Sequence, residues 1–560
     1  MVCGGESAYA VLKGVFSMGK KLTALLAVLC CLVVGLTACT GNVSISMDNS
    51  SKEPAMATNG GFVVETGDYV YFINGVESHS TTYKTGKVTK AALMRTKKSN
   101  FAKLGNDGLA SGDCETVVSK LIVSGDTTAG FYIYGDYVYY AVPSAEKNNK
   151  GTVKSDKLNF FRTKLDGSDT SSKIADKDFS SDAKFRYISA GDKVYLVVYS
   201  TSLYIYDAGT RKQVYSYEKT KPAIDEVVFD ADNASASLFF TLKPLSKVYD
   251  EEDDSAKQES YQEIHRVTLA NDVKEEIVLN GSGAMTVNNQ GEFGQTGATF
   301  DLIRHQDGIL YFSFTYLDST IASTNYCAIK DENLTEKTAF AAVNAAIVNG
   351  GDKNGSAAYA DGSVFLDGGK TILYIDSSFG LLRYNYEKKD DATTDMGVTT
   401  LYDSSTIKGG KILFVKGDYL YFSDSSSNYY RINLTELLAG NTAKEFRINT
   451  LSVNTGWYTP EVVSVNGNDY FLCVYSGTAY CSYVYAIDVT ALEKAYNEAD
   501  EDAQDEFYTY EETYEFVENV VNKTKVGVMS GDDVSAYKKY RDGLRPDKKY
   551  KYACDHSEHE

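Results

Sequence analysis

The sequence predicts an all-β fold, a seven- or eight-bladed β-propeller followed by a short, mainly helical C-terminal appendage. Three observations lead there. A Gly-Asp or Asp-Gly pair followed by a short aromatic strand recurs along the chain. Helical periodicity is absent from residue 61 to about 488. The composition, with 44 Tyr and 45 Gly against 6 Pro and 1 Trp, suits many short strands joined by tight turns.

The first three copies are Gly67-Asp68-Tyr69-Val70-Tyr71-Phe72, Gly135-Asp136-Tyr137-Val138-Tyr139-Tyr140 and Gly191-Asp192-Lys193-Val194-Tyr195-Leu196. Asp307-Gly308-Ile309-Leu310-Tyr311-Phe312, Asp361-Gly362-Ser363-Val364-Phe365-Leu366 and Gly417-Asp418-Tyr419-Leu420-Tyr421-Phe422 follow. Gly467-Asn468-Asp469-Tyr470-Phe471-Leu472 is looser, and the interval from 191 to 307 holds one degenerate copy, Ser237-Leu238-Phe239-Phe240. The eight copies start about 57 residues apart on average, a period that means blades, solenoid turns or arrays. Gly takes positive φ and Asp caps the turn, so the pair reads as turn chemistry. Apolar character on both faces of the strand fits a sheet sandwiched between neighbours.

A second strand-like element follows most copies and often ends in Arg: Leu93-Met94-Arg95, Phe160-Phe161-Arg162, Ile264-His265-Arg266, Leu382-Arg383 and Tyr430-Arg431. Four-stranded antiparallel units repeated around an axis close without long exposed edges. Tandem immunoglobulin-like domains would need roughly 100 residues per unit. The Gly-Asp-Tyr-Val-Tyr-Phe repeat with its Leu/Tyr-x-Arg strand resembles the DUF5050 family. These are β-propellers similar to those of the low-density lipoprotein receptor-related proteins, found in secreted bacterial lipoproteins. The resemblance covers most of residues 61–489 and implies fold more than function. The chain lacks the repeated Tyr-Trp-Thr-Asp copies of the receptor type, so the receptor's ligand-binding role is not implied.

Residues 1–38 read as a lipoprotein signal peptide, with Met18 the better start. Gly19-Lys20-Lys21 is a basic n-region, and Leu22 to Leu36 is an apolar run of about 15 residues, short for a membrane span. It ends in Leu36-Thr37-Ala38-Cys39, which looks like a lipobox. That implies cleavage before Cys39, diacylglyceryl attachment to it, and a cell-membrane anchor facing the extracytoplasmic side. Residues 39–60, rich in Ser, Asn, Gly and Lys, read as the lipidated Cys and a flexible tether. Residues 61–489 are the propeller. From 490 to 560 lies an acidic, partly helical region: Ala491-Leu492-Glu493-Lys494-Ala495-Tyr496 reads as helix, and Val526-Gly527-Val528-Met529 as a further strand.

The 560-residue chain has a formal net charge of −20. Residues 1–38 carry Lys13, Lys20 and Lys21 against Glu6, so the remainder stands at −22. That excludes nucleic acid, whose phosphates select basic surfaces. After Cys39 the cysteines Cys114, Cys327, Cys473, Cys481 and Cys554 form no zinc pattern. Cys473 and Cys481 flank Ser476-Gly477-Thr478 symmetrically. A three-residue hairpin loop there would set them face to face, either as a disulfide or as two small apolar residues in a sheet.

No catalytic constellation emerges. There is no Gly-x-Ser-x-Gly elbow and no His-Glu-x-x-His. Gly369-Lys370-Thr371 looks like the end of a P-loop, but Val364 stands where the first glycine belongs, so it reads as a turn. Cys554, His556 and His559 cluster without a fourth ligand, and read as a polar tail rather than a metal site. The acidic run 250–254, and Asp230, Asp232 and Asn233, match no calcium loop and read as solvated loops. No cofactor is expected. The expected function is a non-enzymatic binding or scaffolding propeller of the cell envelope, with a protein, peptide or glycan as ligand. The alternative is a polysaccharide-active propeller enzyme, a lyase or hydrolase. A third reading is an assembly factor for envelope proteins. The inserts at 76–92, 141–157, 245–262 and 330–356 are the places for recognition.

Overall fold

The computed structural model describes Met56, most of residues 63–500 and Lys525–Val526. Eight antiparallel sheets follow one another along the chain, which fixes the blade count at eight. Blade 1 is Val63–Thr66, Tyr69–Asn74, Thr89–Lys97 and Cys114–Ser124. Blade 2 is Tyr132–Tyr134, Tyr137–Pro143, Lys157–Lys164 and Phe179–Ser180, with Ser172–Lys173 pairing beside the last. Blade 3 is Lys184–Ala190, Lys193–Tyr199, Leu203–Asp207 and Lys212–Tyr217. Blade 4 is Ile224–Phe229, Ser237–Leu242, Glu263–Thr268 and Lys274–Asn280. Blade 5 is Ala298–Gln306, Ile309–Tyr316, Thr324–Lys330 and Ile347–Asn349. Blade 6 is Val364–Leu366, Thr371–Asp376, Gly380–Asn385 and Val398–Tyr402. Blade 7 is Lys411–Lys416, Tyr419–Ser423, Tyr429–Asn433 and Phe446–Arg447.

Blade 8 closes the ring differently. Its own strands are Glu461–Val465, Asn468–Thr478 and Cys481–Asp488. The outer strand is composite: Val76–Glu77 pairs with positions 481–482, and Lys525–Val526 with positions 484–485. Both pieces run antiparallel to Cys481–Asp488.

Packing between blades explains why the strands are apolar on both faces. Each interface is filled by buried apolar side chains. Val70, Phe72 and Leu93 of blade 1 meet Ile133 and Val138 of blade 2 on one side and Val463, Tyr470 and Leu472 of blade 8 on the other. Phe240, Leu238 and Val267 of blade 4 meet Val197 and Ile205 of blade 3. Phe422 and Ile432 of blade 7 meet Leu373 and Leu381 of blade 6. Each such side chain contributes about 1.5–3 kcal/mol on burial, so no blade is stable by itself and the ring is one cooperative core. The first strands of blades 4 and 5, and of blades 6 and 7, lie against each other, which places first strands innermost.

In blades 1, 2, 3, 5, 7 and 8 the Gly-containing pair is the two-residue turn between first and second strands. Two turn chemistries appear. Gly67, Gly135, Gly191 and Gly417 have φ of +55 to +63, with the following Asp negative, as a type II′ turn requires. Asp307-Gly308 and Asn466-Gly467 are positive at both positions, as in type I′. A Cβ on Gly417 would meet nothing within 4 Å. Gly417→Ala therefore tests backbone strain alone, and a loss of about 1 kcal/mol in chemical denaturation is expected. A clamp just after the third strand recurs as well: the N–H groups of Lys98, Leu165 and Leu434 each donate to the carbonyl of the turn Asp68, Asp136 or Asp418 at 2.8 Å.

Three expectations change. Asp361-Gly362 is not such a turn: Val364–Leu366 is the first strand of blade 6, and the more deeply buried Thr371–Asp376 is the second. In blade 8 the strands do not part at the expected 476–478 loop: the register slips between Tyr475 and Thr478, and Thr478 still pairs with Cys481. Cys473 therefore stands opposite Tyr485, and Cys481 opposite Thr478, so the two cysteines do not face each other. Their side chains, like Cys39, lie outside the described residues. Third, Met56 in the expected tether is buried among Tyr132, Tyr187 and Phe179 of blades 2 and 3.

Two short helices complete the fold. Helix α1, Leu434–Leu438, follows blade 7 and is capped by the Asn433 side chain, which accepts from the Glu436 N–H at 3.0 Å. Helix α2, Val489–Glu498, contains the expected 491–496 helix and is capped by Asp488 accepting from the Ala491 N–H at 2.9 Å. It packs Val489 and Leu492 against Phe446 and Phe471. Lys525–Val526 overlaps the strand expected from Val526.

Candidate functional site

The two ends of the ring differ. In an antiparallel meander, the first and third connections lie at one end. The second connection, and the link to the next blade, lie at the other. At the first end the first connections of six blades are two-residue turns, while the third connections are longer, among them 98–113 in blade 1 and the segment that holds helix α1 in blade 7. The expected inserts 76–92, 141–157 and 245–262 join second to third strands of blades 1, 2 and 4, so all three belong to the second end. There 245–262 forms its own hairpin, Leu245–Val248 with Gln258–Tyr261. A further hairpin, Met285–Val287 with Phe293–Gln295, sits in the link from blade 4 to blade 5 at the same end. Of the four expected inserts, 330–356 alone includes a connection at the turn-bearing end, between the third and fourth strands of blade 5.

The repeated Tyr and Arg residues are structural. Tyr71 pairs with Arg95, Tyr139 with Arg162 and Tyr421 with Arg431 across the second and third strands. In all three blades the guanidinium stacks on the tyrosine two residues earlier: Arg95 over Tyr69 at 4.1 Å, Arg162 over Tyr137 at 4.6 Å, Arg431 over Tyr419 at 4.2 Å. Arg95 also donates to Glu115 at 2.8 Å. Arg431 reaches Asp469 of blade 8 at 3.2 Å, and Glu493 of helix α2. Burial pushes the Tyr139 phenol up to about 12, with Arg162 pulling the other way. The Tyr71, Tyr139 and Tyr421 phenols, all raised by burial, are not poised for proton transfer near neutral pH.

A polar seam joins blades 3, 4 and 5 at the turn-bearing end. The fully buried His305 imidazole has Nε2 3.0 Å from Asp331 Oδ2 and Nδ1 3.4 Å from Asp230 Oδ2. Asp230 forms a bridge with His305 through the backbone, where the Ala231 N–H donates to the His305 carbonyl at 2.8 Å. Asp230 Oδ1 accepts from the N–H groups of Asp232 and Ala234. Arg186 of blade 3 donates to the Asp230 carbonyl at 2.7 Å and to Asn233 Oδ1 at 2.9 Å. The loop read as solvated is therefore buried at Asp230 and Asn233, 2% and 8% exposed, while Asp232 between them is exposed. Its partners come from other blades, which no local pattern reveals. Burial lowers the Arg186 guanidinium, opposed by Tyr132, Tyr199 and Asp230, and burial raises Asp232.

A second inner cluster spans blades 7, 8 and 1. Glu65 accepts from Lys98 at 2.7 Å and lies 3.9 Å from Lys416. Burial pushes the Glu461 carboxyl up to about 7, with Lys416 pulling down. The unfolded chain releases that proton near pH 4.5, so the folded state binds the extra proton between about pH 4.5 and 7. Stability falls as pH rises through that window, by up to about 1.4 kcal/mol per unit. Glu461→Gln is expected to flatten this slope and raise the melting temperature at pH 8 while leaving it unchanged near pH 4. A slope that persists in the variant assigns it to another group.

Cys327 is buried, and burial alone pushes its thiol up to about 12, which makes it an unreactive core residue. Among the described residues, no group of three His, Cys, Asp or Glu is placed to hold a metal ion, and no helix is long and apolar enough to cross a membrane. Thr371 opens the second strand of blade 6. Gly369 and Lys370, with 250–254, Cys554, His556 and His559, lie outside the described residues.

No family model and no curated protein matches the chain. Among solved structures it is similar to a chain from a study of two prolyl endopeptidases, with a TM-score of 0.37 and 12% identity over 78% of this chain and 55% of that one. It is similar to BamB from Moraxella catarrhalis, with a TM-score of 0.31 and 11% identity over 80% of this chain and 96% of that one. The β-propeller domain of Cps50 (Swd1) from Myceliophteria thermophila gives a TM-score of 0.29 and 8% identity over 62% of this chain and 96% of that one. Likenesses this distant carry no argument about activity. The chain spans little more than half of the prolyl endopeptidase chain.

Proposed function

We propose that this chain is a non-enzymatic binding or scaffolding propeller, anchored to the cell membrane through lipid on Cys39 and facing the extracytoplasmic side. The observation that carries the binding role is a set of inserts on a rigid ring. Three of the expected inserts, one of them folded as its own hairpin, and a further hairpin in the link from blade 4 to blade 5 gather at one end. Recognition surfaces are built from such loops on a rigid frame. The described repeat residues with chemistry to offer, Tyr and Arg, are committed to packing. The leader pattern supports the anchor, and Met56 limits its reach. The chain from Cys39 to Met56 spans at most about 60 Å when fully extended.

The test is a thermal-shift screen of the exported chain against glycans and envelope-derived peptides. A ligand of the native state raises the melting temperature with concentration. A hit lost on replacing the 245–261 hairpin by a two-residue turn supports the reading. Product release from a glycan overturns it in favour of a polysaccharide-active enzyme. For the anchor, Cys39→Ala is expected to abolish incorporation of labelled fatty acid. Undiminished labelling would sink that part.

A further inference from the structure

We propose that Arg304 is the recognition residue of a carboxylate-binding site on the inner strands of blades 5 and 6. Arg304 lies near the end of Ala298–Gln306, where the register slips between Leu302 and Arg304. A bulge interrupts the ladder and re-aims the side chains around it. Here Glu226 of blade 4 accepts the Leu302 N–H at 2.6 Å, so the irregularity is braced from the neighbouring blade.

The guanidinium is then held in two further ways. Its Nε donates to Gln306 Oε1 at 2.7 Å. Its plane lies over Phe365 of blade 6, with Cζ 5.0 Å from the ring centroid. Phe365 is itself buried and set edge-on against Tyr311 at 4.9 Å. The two terminal nitrogens have no protein acceptor and are open to solvent. Arg95, Arg266 and Arg431 each end on a carboxylate, and Arg304 does not. Asp232 is near enough to act on its charge but turns to Gln306 and forms no ion pair. Burial lowers the Arg304 guanidinium, opposed by Asp232 and Asp230, so its charge is poorly solvated and gains from an added anion.

The fork geometry and flat aromatic support match a planar, two-oxygen acceptor. The surrounding Asp230, Asp232 and Asp307 repel a doubly charged ligand more than a singly charged one, which favours carboxylate over phosphate. The site lies toward the turn-bearing end, and stands whatever the insert-bearing end binds.

The test is a thermal-melt titration of the full chain with acetate, glutamate and inorganic phosphate, at an ionic strength held constant with chloride. Wild type, Arg304→Gln and Arg304→Lys are compared, with circular dichroism to establish folding. Acetate and glutamate are expected to give a saturable rise in melting temperature that phosphate does not match. Arg304→Gln abolishes it, and Arg304→Lys, which keeps the charge without the fork, weakens it about tenfold. No carboxylate-dependent rise in wild type, a rise equal to that with phosphate, or an unchanged rise in Arg304→Gln overturns the proposal. Should Arg304→Gln fail to fold, unweakened affinity in Arg304→Lys overturns it instead.

Discussion

Arg431→Met lowers stability by about 3 kcal/mol, measured as a shift of the denaturant midpoint at constant slope. Arg431 is 2% exposed and holds together three elements: blade 7, Asp469 at the first turn of blade 8, and Glu493 of helix α2. Removing it leaves two carboxylates side by side without a cation. Both keep about a quarter of their side-chain surface in water, which places the loss at the lower end of that for a broken buried pair. Methionine still covers Tyr419, so the comparison isolates charge from packing. The same change at Arg95 strands only Glu115, whose side chain is 43% exposed, and is expected to cost about 1 kcal/mol. Adding Asp469→Asn and Glu493→Gln should recover most of the loss in Arg431→Met. Equal losses at both arginines, or no recovery, would show that stacking on tyrosine matters and the carboxylates do not.

Gly380→Ala is expected to cost about 3 kcal/mol or more, several times the effect at Gly417. Both glycines have positive φ, +82 and +56. The difference is space. A Cβ at Gly380 would stand 2.4 Å from the Tyr402 carbonyl oxygen in the paired outer strand of blade 6. Backbone on that side is fixed by the ladder, so the fourth strand must move away. The preceding turn is also tied down, with Asp376 Oδ1 accepting the N–H groups of Ser378 and Phe379. Losses of similar size at the two positions would mean that the outer strand yields freely.

The elements legible in the sequence are those whose cause is local. Gly-Asp before Tyr-x-Tyr marks a type II′ turn and a strand buried on both faces, and Ser237-Leu238-Phe239-Phe240 falls on a second strand even without its turn. Asp361-Gly362 misleads because Val364-Phe365-Leu366 is as apolar as a second strand, yet pairs one place further in. The Arg in the third strands of blades 1, 2, 4, 6 and 7 is visible as a pattern. Its stacking is not, since that depends on register. The polar seam is less legible still. His305 owes its setting to Asp230 from the preceding blade, and Arg304 owes its support to Glu226 and Phe365 from both neighbours. The hairpin of blade 8 was misplaced because a slip in the ladder leaves no mark in residue type.

The composite outer strand of blade 8 sets the order of assembly. Blades 1 to 7 can each form from consecutive residues, through contacts close in sequence. Blade 8 cannot be finished that way. One half of its outer strand, Val76–Glu77, is made first and waits through the rest of synthesis, and the other half, Lys525–Val526, arrives after helix α2. Bringing such distant segments together is the slow, high-contact-order step. Closure of the ring is therefore the last folding event, and until it happens the edge of Cys481–Asp488 is the open strand most exposed to pairing with another chain.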